Sequence, residues 1–380
     1  NAISSNKMKK ILKSTKRMLL ILFSIVLGLL LILTCVLLIY SPGKMKQYTD
    51  DNGTPIPGSI SEKIFVNING TEQGMIIKSR DSTHPVLLYL HGGLPDYFLT
   101  KKYPTGLEDY FTVVWWERRG SGLSFNADIS TEEITLEQLL PDTKEVTNYL
   151  RKRFGQEKIY LMGRSGGTFI GIQAAALTPE LYHAYIGVAQ MTNQIKSERL
   201  AYEYMLEQFK KKGNKQMVRK LEAAPVTIVD GIPSAYITLR DKAMHSLGIG
   251  TTHKMNSIVT GMFLPSLTCR EYTLSEKYNL WRAKARSGVS ILWDTILATD
   301  IIKQVPELDI PIYFFHGIND YTVSYPLAKG YFELIRAPLK GFYTFNNSAH
   351  SPLFEEPLLV RQIIEKDILN NNNILSDKIQ

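Results

Sequence analysis

The sequence predicts a mostly parallel α/β sheet flanked by helices, interrupted by a helical insertion and preceded by one transmembrane helix. Three observations carry this. Met18–Tyr40 is a run of 23 residues without a charged side chain. Pro85–Leu90, Phe111–Trp116, Ile159–Met162 and Ile310–Phe315 are nearly unbroken apolar runs, and strands without a polar face belong to sheets covered by helices on both sides. Between Thr192 and Thr295 this strand pattern gives way to a charged, aromatic and methionine-containing pattern at helical spacing.

The first 40 residues stand apart from the globular fold. As a helix, Met18–Tyr40 would span roughly 35 Å, enough for a hydrocarbon core of about 30 Å. A buried core helix would carry a polar face, and this one offers only Ser24, Thr34 and Cys35. A cleaved secretion signal has an apolar region of about 7–15 residues that ends at small residues. Here the run continues to Leu38-Ile39-Tyr40, so an uncleaved anchor in membrane lipid is expected. Cys35, preceded by Thr34 and followed by apolar residues, is a weak match to a lipoprotein cysteine. Lys7, Lys9, Lys10, Lys13, Lys16 and Arg17 precede the span, whereas Lys44 and Lys46 after it are offset by Asp50 and Asp51. That asymmetry places the amino terminus in the cytoplasm and the following domain outside the cell membrane, in a single-pass arrangement. Met8 is an alternative start. Removing the six basic residues from the formal charge of +8 leaves +2 for the remainder, so no nucleic-acid surface is expected. Cys35 and Cys269 are the only cysteines, and one lies in the span, so no disulfide forms within the domain.

The organisation then follows in order: a basic cytoplasmic tail (1–17), the anchor (18–40), a Pro- and Gly-rich tether (41–59), a first core part (60–191), a helical cap (192–295) and a second core part (296–380). Ile64–Ile68 and Gly74–Lys78 read as strands joined at Asn69-Gly70, a strong hairpin signal. Thr135 with Gln138 resembles a capping box opening a helix that runs to Phe154. Ala184–Ala189 is a further strand, and Gln194–Leu221 reads as one long charged helix. Gly341–Phe345 is the last strand, and a helix over Pro357–Leu369 precedes a frayed asparagine-rich tail.

Chemistry centres on Gly163-Arg164-Ser165-Gly166-Gly167, a G-x-S-x-G motif between an apolar strand and a small-residue helix, Thr168–Ala176. A chain that turns so sharply holds its apex residue in a strained conformation, and glycines two positions either side remove colliding side chains. The serine hydroxyl is thereby lifted above a helix N-terminus that favours developing negative charge. In an open α/β sheet the site lies beyond the carboxyl ends of the strands. Asp320 and His350 follow strands at that end, whereas Asp309 precedes its strand and lies at the wrong end. A hydroxyl is a poor nucleophile until imidazole takes its proton, and a carboxylate fixes the imidazole tautomer. Ser165, Asp320 and His350 are therefore the candidate catalytic residues.

With these residues the chain resembles the α/β-hydrolase superfamily, and within it most closely the prolyl iminopeptidase (proline aminopeptidase) branch. His91-Gly92-Gly93-Leu94-Pro95 resembles that branch's H-G-G-P-G, with Pro95 one place late. Trp116-Glu117-Arg118-Arg119-Gly120-Ser121-Gly122-Leu123-Ser124 resembles D-[QR]-R-G-x-G-x-S. The Asp320 loop and His350-Ser351-Pro352-Leu353-Phe354-Glu355-Glu356-Pro357 complete the set. The resemblance covers 60–190 and 296–365; the cap matches only in being helical. It implies an α/β-hydrolase fold, an oxyanion hole from the backbone N–H groups of Gly92 and Gly166, and release of N-terminal residues, proline included, from short peptides. Gly166 replaces the bulkier residue usual after the nucleophile. An aminopeptidase also needs a carboxylate for the substrate ammonium; Glu203 is the first candidate, with Glu198 and Glu207 about one turn either side.

A small ester or amide hydrolase with the same triad is the alternative, and a non-catalytic surface binding module the more distant one. No cofactor is implied, and no His/Cys/Asp/Glu group has metal-ligand spacing. His84, His183, His245 and His253 read as solvent or packing residues, and His316 as structural. Lys210–Lys220 reads as a solvated helix face. Tyr202, Tyr204, Tyr272, Tyr278 and Trp281 read as cap core.

Overall fold

The computed structural model describes residues 2–229, 231–287 and 290–378. Helix α1 (Ala2–Ile39) leads into strands β1 (Ile60–Ile68), β2 (Thr71–Ser79), β3 (Val86–Leu90) and β4 (Thr112–Glu117). Helix α2 (Leu136–Phe154), β5 (Ile159–Arg164), α3 (Gly166–Leu177) and β6 (Tyr182–Val188) follow. The insertion carries α4 (Gln194–Lys211), α5 (Lys215–Glu222), α6 (Ser234–Ser246), α7 (Leu264–Thr268) and α8 (Leu274–Ser287). After α9 (Ile291–Ala298) and α10 (Ile301–Gln304), the chain returns to the sheet through β7 (Ile312–Gly317), α11 (Tyr325–Leu334), β8 (Lys340–Phe345), α12 (Pro352–Glu355) and α13 (Pro357–Ile363).

The eight strands form one sheet in the order β1-β2-β4-β3-β5-β6-β7-β8. The β1–β2 and β2–β4 pairs are antiparallel, and every other pairing is parallel. Asn69 (φ 47°) and Gly70 (φ 80°) take the left-handed conformations that a two-residue hairpin needs. Alternation along β3 divides the core. Leu88 and Leu90 pack with Leu139 of α2, Phe169 of α3 and Phe332 of α11. Leu87 and Tyr89 face the opposite layer, with Phe98, Phe111, and Val360 of α13. Each fully buried side chain of this size contributes roughly 1.5–3 kcal/mol, so a strained residue costing about 1–3 kcal/mol at a strand end is readily held.

The insertion closes on itself at its base, where the Ile301 N–H donates to the Thr192 carbonyl at 2.9 Å. Above this neck α4, α5 and α6 share their own apolar cluster, including Met205, Phe209, Leu221 and Tyr236. The single helix expected over Gln194–Leu221 is two helices. Gly213 (φ 65°) turns the chain, and the Asn214 side chain accepts from Met217 N–H to start α5.

Three further expectations change. Thr135 does cap α2, but Gln138 reaches to Asp142 at 3.1 Å and not back to the cap, so there is no reciprocal box. Residues 41–59 are held against the body: Pro42 bridges to Thr273, Gly43 N–H donates to Arg270, and Ser61 Oγ donates to the Lys46 carbonyl at 2.6 Å. The tail is likewise fixed. Buried Asp367 accepts from the N–H groups of Ile374 and Leu375, and Asp377 N–H donates to Phe342 on β8, covering that edge strand.

Candidate active site

Ser165 joins β5 to α3 with φ 54° and ψ −126°, a backbone conformation rare for a residue with a side chain. Close approach explains the glycines around it. A Cβ on Gly163 would come within 2.6 Å of the Gly167 carbonyl oxygen, and one on Gly167 within 2.0 Å of the Leu90 carbonyl oxygen. The loop after β3 crosses directly over the serine: a Cβ on Gly92 would stand 2.9 Å from Ser165 Cβ and 3.3 Å from its Oγ.

Arg118, just beyond β4, fixes that loop. Its guanidinium donates to the His91 carbonyl at 2.6 Å and the Gly92 carbonyl at 2.8 Å. Burial lowers the Arg118 pKa to about 10, with Asp96 opposing, so the group stays cationic at neutral pH. Burial and the adjacent Arg118 charge push His91 well below its ordinary value, so His91 is neutral. Arg164 pairs with buried Asp96 at 2.8 Å and donates to Ser351, linking the residue before Ser165 to the residue after His350.

Asp320 and His350 come from the ends of β7 and β8 and meet, His350 Nδ1 lying 2.8 Å from Asp320 Oδ2. The other carboxylate oxygen accepts from the N–H groups of Thr322 and Val323, both at 2.9 Å. Burial alone would raise the Asp320 pKa, but His350 and His316 hold it well below the usual carboxylate range. His316 is fully buried, bonds the Val323 carbonyl at 2.9 Å, and lies 3.4 Å from Asp320 Oδ2. His350 is shifted down from 6.5, mainly by burial, with Asp320 opposing. The Glu355 carboxylate accepts from the N–H groups of Ala349, Ser351 and His253, tying the His350 loop to the cap.

Ser165, Gly166 and His350 open onto one cavity of about 340 Å³ between sheet and cap. The three cap glutamates separate here. Glu203 and Glu207 lie at the surface, paired with Arg199 and Lys211, outside the cavity lining. Glu198 lines the cavity and is buried, but Arg240 grips it with two bonds of 2.7 Å, and Gln194 and Tyr236 donate to it as well. Preference for Glu203 is thus corrected by the packing of α4. Its buried stripe is Glu198, Ala201, Met205 and Phe209, spaced i, i+3, i+7, i+11, a helical face that was present in the sequence.

The cavity also holds residues without a sequence signal: Arg240 and Asp241 of α6, and Lys284 and Arg286 of α8. Trp281 is cavity wall and bonds Ser266 at 2.9 Å, while Tyr272 is buried against Glu117 and Tyr278 is exposed. His245, expected only to pack or face solvent, also lines the cavity, bonded to the Asp241 carbonyl at 2.6 Å. Asp309 is exposed ahead of β7. Among the described residues no group of three or more His, Cys, Asp or Glu side chains could hold a metal ion.

Comparison with known proteins agrees with this architecture. Residues 107–357 match the family model described as serine aminopeptidase, S33. The chain is 30% identical over 316 residues to the probable aminopeptidase YbaC of Bacillus subtilis (strain 168), an alignment covering 82% of this chain and 98% of the relative. A proline iminopeptidase-related protein from Thermus thermophilus superposes with a TM-score of 0.57 at 18% identity, over 82% of this chain and 98% of the other. Proline iminopeptidase from Mycobacterium smegmatis gives 0.55 at 14% identity, over 81% and 98%. At these identities the solved structures speak for the fold alone. The molecule is a serine hydrolase of the α/β-hydrolase fold. It belongs to the S33 serine aminopeptidase family.

Proposed function

We propose that this protein is a membrane-anchored aminopeptidase in which Ser165 is the nucleophile, His350 the general base and Asp320 its orienting partner. The observation that carries the reading is the 2.8 Å His350–Asp320 contact on the cavity that Ser165 enters from its strained turn. With Nδ1–H given to Asp320, Nε2 is the nitrogen left to accept the serine proton. Oγ then bonds the scissile carbonyl carbon, and the amine leaves with the proton from His350. Water, deprotonated by the same imidazole, releases the acyl group. The N–H groups of Gly92, which abuts Ser165, and of Gly166, at the first turn of α3, are the proposed oxyanion donors. The enclosing cap and modest cavity favour short peptides, N-terminal proline among the released residues. Asp241 also pairs with Arg240, at 3.2 Å, but keeps about half its side chain exposed, so it is better placed than the buried Glu198 to meet an ammonium group. The anchor is proposed to span the cell membrane at residues 18–40 with the catalytic domain outside; no nucleic-acid partner is proposed.

One observation favours the second reading, an esterase or small-amide hydrolase: the buried cavity carboxylate, Glu198, is already neutralised by Arg240. Full-length protein in detergent should label with a fluorophosphonate, and Ser165→Ala should abolish labelling and lower turnover by about 10⁴–10⁶-fold. Persistent labelling would move the nucleophile elsewhere. Free prolyl or alanyl arylamides should be cleaved at least about tenfold faster, in kcat/KM, than their N-acetylated forms. Equal rates, or turnover of nitrophenyl esters alone, would select the esterase reading.

A further inference from the structure

Among the described residues two helical stretches are apolar but shorter than a membrane span, α3 and Val259–Thr268. Helix α3 is accounted for, because most of its residues are buried in the core. The second stretch is different. A π-helical turn, Val259–Phe263, runs into α7, and only Gly261 and Ser266 within the two are buried. On the inner side Ile258 and Met262, one turn apart, line the cavity. On the outer side Val259 is 58%, Phe263 38% and Leu264 47% exposed. A helix that is apolar on opposite sides needs a cover on each. Other large apolar side chains are exposed, such as Leu177 of α3 and Leu334 of α11, but they stand one to a helix, as on any protein surface.

The position of this edge says what covers it. The Lys277 ammonium donates to the Leu267 carbonyl of α7 at 2.7 Å and to the Tyr40 carbonyl, just past α1, at 2.6 Å. The two carbonyls therefore lie within two hydrogen-bond lengths of each other, and Leu264 is about one helical turn back from Leu267. Tyr278, next to Lys277, is 64% exposed, and tyrosine suits the boundary between lipid headgroups and acyl chains. Residues 255–269 carry no charged side chain, and exposed Lys254 and Arg270 stand at either end. The Arg270 carbonyl accepts from Gly43 N–H at 3.1 Å, beside exposed Lys44. An uncharged run of this length between basic residues is too short to span a bilayer and fits a segment lying in its interface.

We propose that the cap edge formed by Val259, Phe263, Leu264 and Tyr278 rests in the bilayer interface beside the anchor, with lipid as its cover. This rests on the reading of residues 18–40 as a membrane anchor. Lys44, Lys254 and Arg270 then reach the level of the lipid phosphates. The segment becomes the wall between cavity and bilayer, with Ile258 and Met262 on one side and Val259 and Phe263 on the other. Lipid is favoured over a second copy of the chain because the anchor already holds this edge at the membrane surface.

The test is fluorescence quenching in the full-length protein, reconstituted in phosphatidylcholine and phosphatidylglycerol bilayers that contain nitroxide-labelled lipid. An environment-sensitive nitrobenzoxadiazole fluorophore is placed on one cysteine at a time. The sites are native Cys35 and, in a Cys35→Ser chain, Val259→Cys, Phe263→Cys or Leu334→Cys. Cys269 is buried, and burial and the nearby Glu271 push its thiol up, so it competes poorly for the label; the Cys35→Ser chain alone is the blank. Leu334 is the control, 64% exposed on α11, whose core residues pack on the opposite face of the sheet from Met262. Labels replacing Val259 and Phe263 should lose emission to nitroxide lipid, most to nitroxides near the headgroup, since an interfacial helix sits about 5–10 Å deep. The label replacing Leu334 should keep its emission. Quenching at Cys35 but not at the Val259 and Phe263 positions would overturn the proposal and leave the anchor standing. No quenching at Cys35 would remove the anchor, and the proposal with it. Blue-shifted emission at the two cap positions without quenching would mean that protein, such as a second copy of the chain, covers the edge. Quenching at the Leu334 position as strong as at Phe263 would mean that no particular face is seated. Either result overturns the proposal.

Discussion

As the proposed general base, His350 should set the pH range over which this site acts, because only neutral imidazole accepts a serine proton. Burial disfavours its charged form, and Arg164 and His316 act in the same direction while Asp320 opposes them. Its pKa therefore lies below 6.5, and the acid limb of kcat/KM should have its midpoint below that value. A midpoint at or above 6.5 would mean that another group controls the limb. Asp320→Asn removes the one opposing charge, so the limb should shift further towards acid. It should also cost up to about 10⁴ in kcat, since the amide cannot fix the same tautomer. Asp309→Asn, exposed ahead of β7, should change neither. A larger effect from Asp309 than from Asp320 would relocate the acid.

Helix α4 shows how far a single element can be read from sequence. The parallel strands were legible because burial on both faces leaves continuous apolar runs, and the turn at Ser165 because steric crowding demands its glycines. The cap was less so. Leu200, Tyr204, Leu206 and Phe209 recur at near-helical spacing, yet the packed stripe runs through Glu198, Ala201, Met205 and Phe209 and includes a charge. That charge is intelligible only with Arg240 of α6 opposite it, a tertiary pairing with no local signature. Lys284 and Arg286 escaped for the same reason, since a cation on a cavity wall and one on a solvated face share a sequence pattern. The pairing predicts a stability effect. Glu198→Gln removes the two charge-assisted bonds of Arg240 to a buried carboxylate and leaves it only the half-exposed Asp241 at 3.2 Å, so it should destabilise the protein by about 1–3 kcal/mol, seen as a lower Tm. If Tm is unchanged while KM for free-amine substrates rises, Glu198 is acting as a substrate ligand instead.

At the scale of the whole molecule, α1 and the catalytic domain are joined by more than a tether. Lys277 of α8 donates to the Tyr40 carbonyl at 2.6 Å, Ser41 Oγ at 2.9 Å and the Leu267 carbonyl at 2.7 Å, gripping the end of α1 from the cap. Proline and glycine between 41 and 59 suggested free chain, but they allow the backbone to follow the domain surface, a fit that composition does not encode. Within α1, Leu12–Ile39 is long and apolar enough to cross a bilayer, and none of it is buried against the domain. Six basic residues and no acid precede residue 18, and positive charge is retained on the cytoplasmic side. The catalytic domain should therefore lie outside the cell, anchored within a few residues of the membrane surface. Protease added to intact cells should degrade the domain and leave a short membrane-protected fragment containing the amino terminus. The fragment should resist extraction at alkaline pH, as a spanning helix does and a released domain does not. Complete protection of the domain until the cells are lysed would place it in the cytoplasm, and a soluble domain lacking residues 1–40 would identify the helix as a cleaved signal.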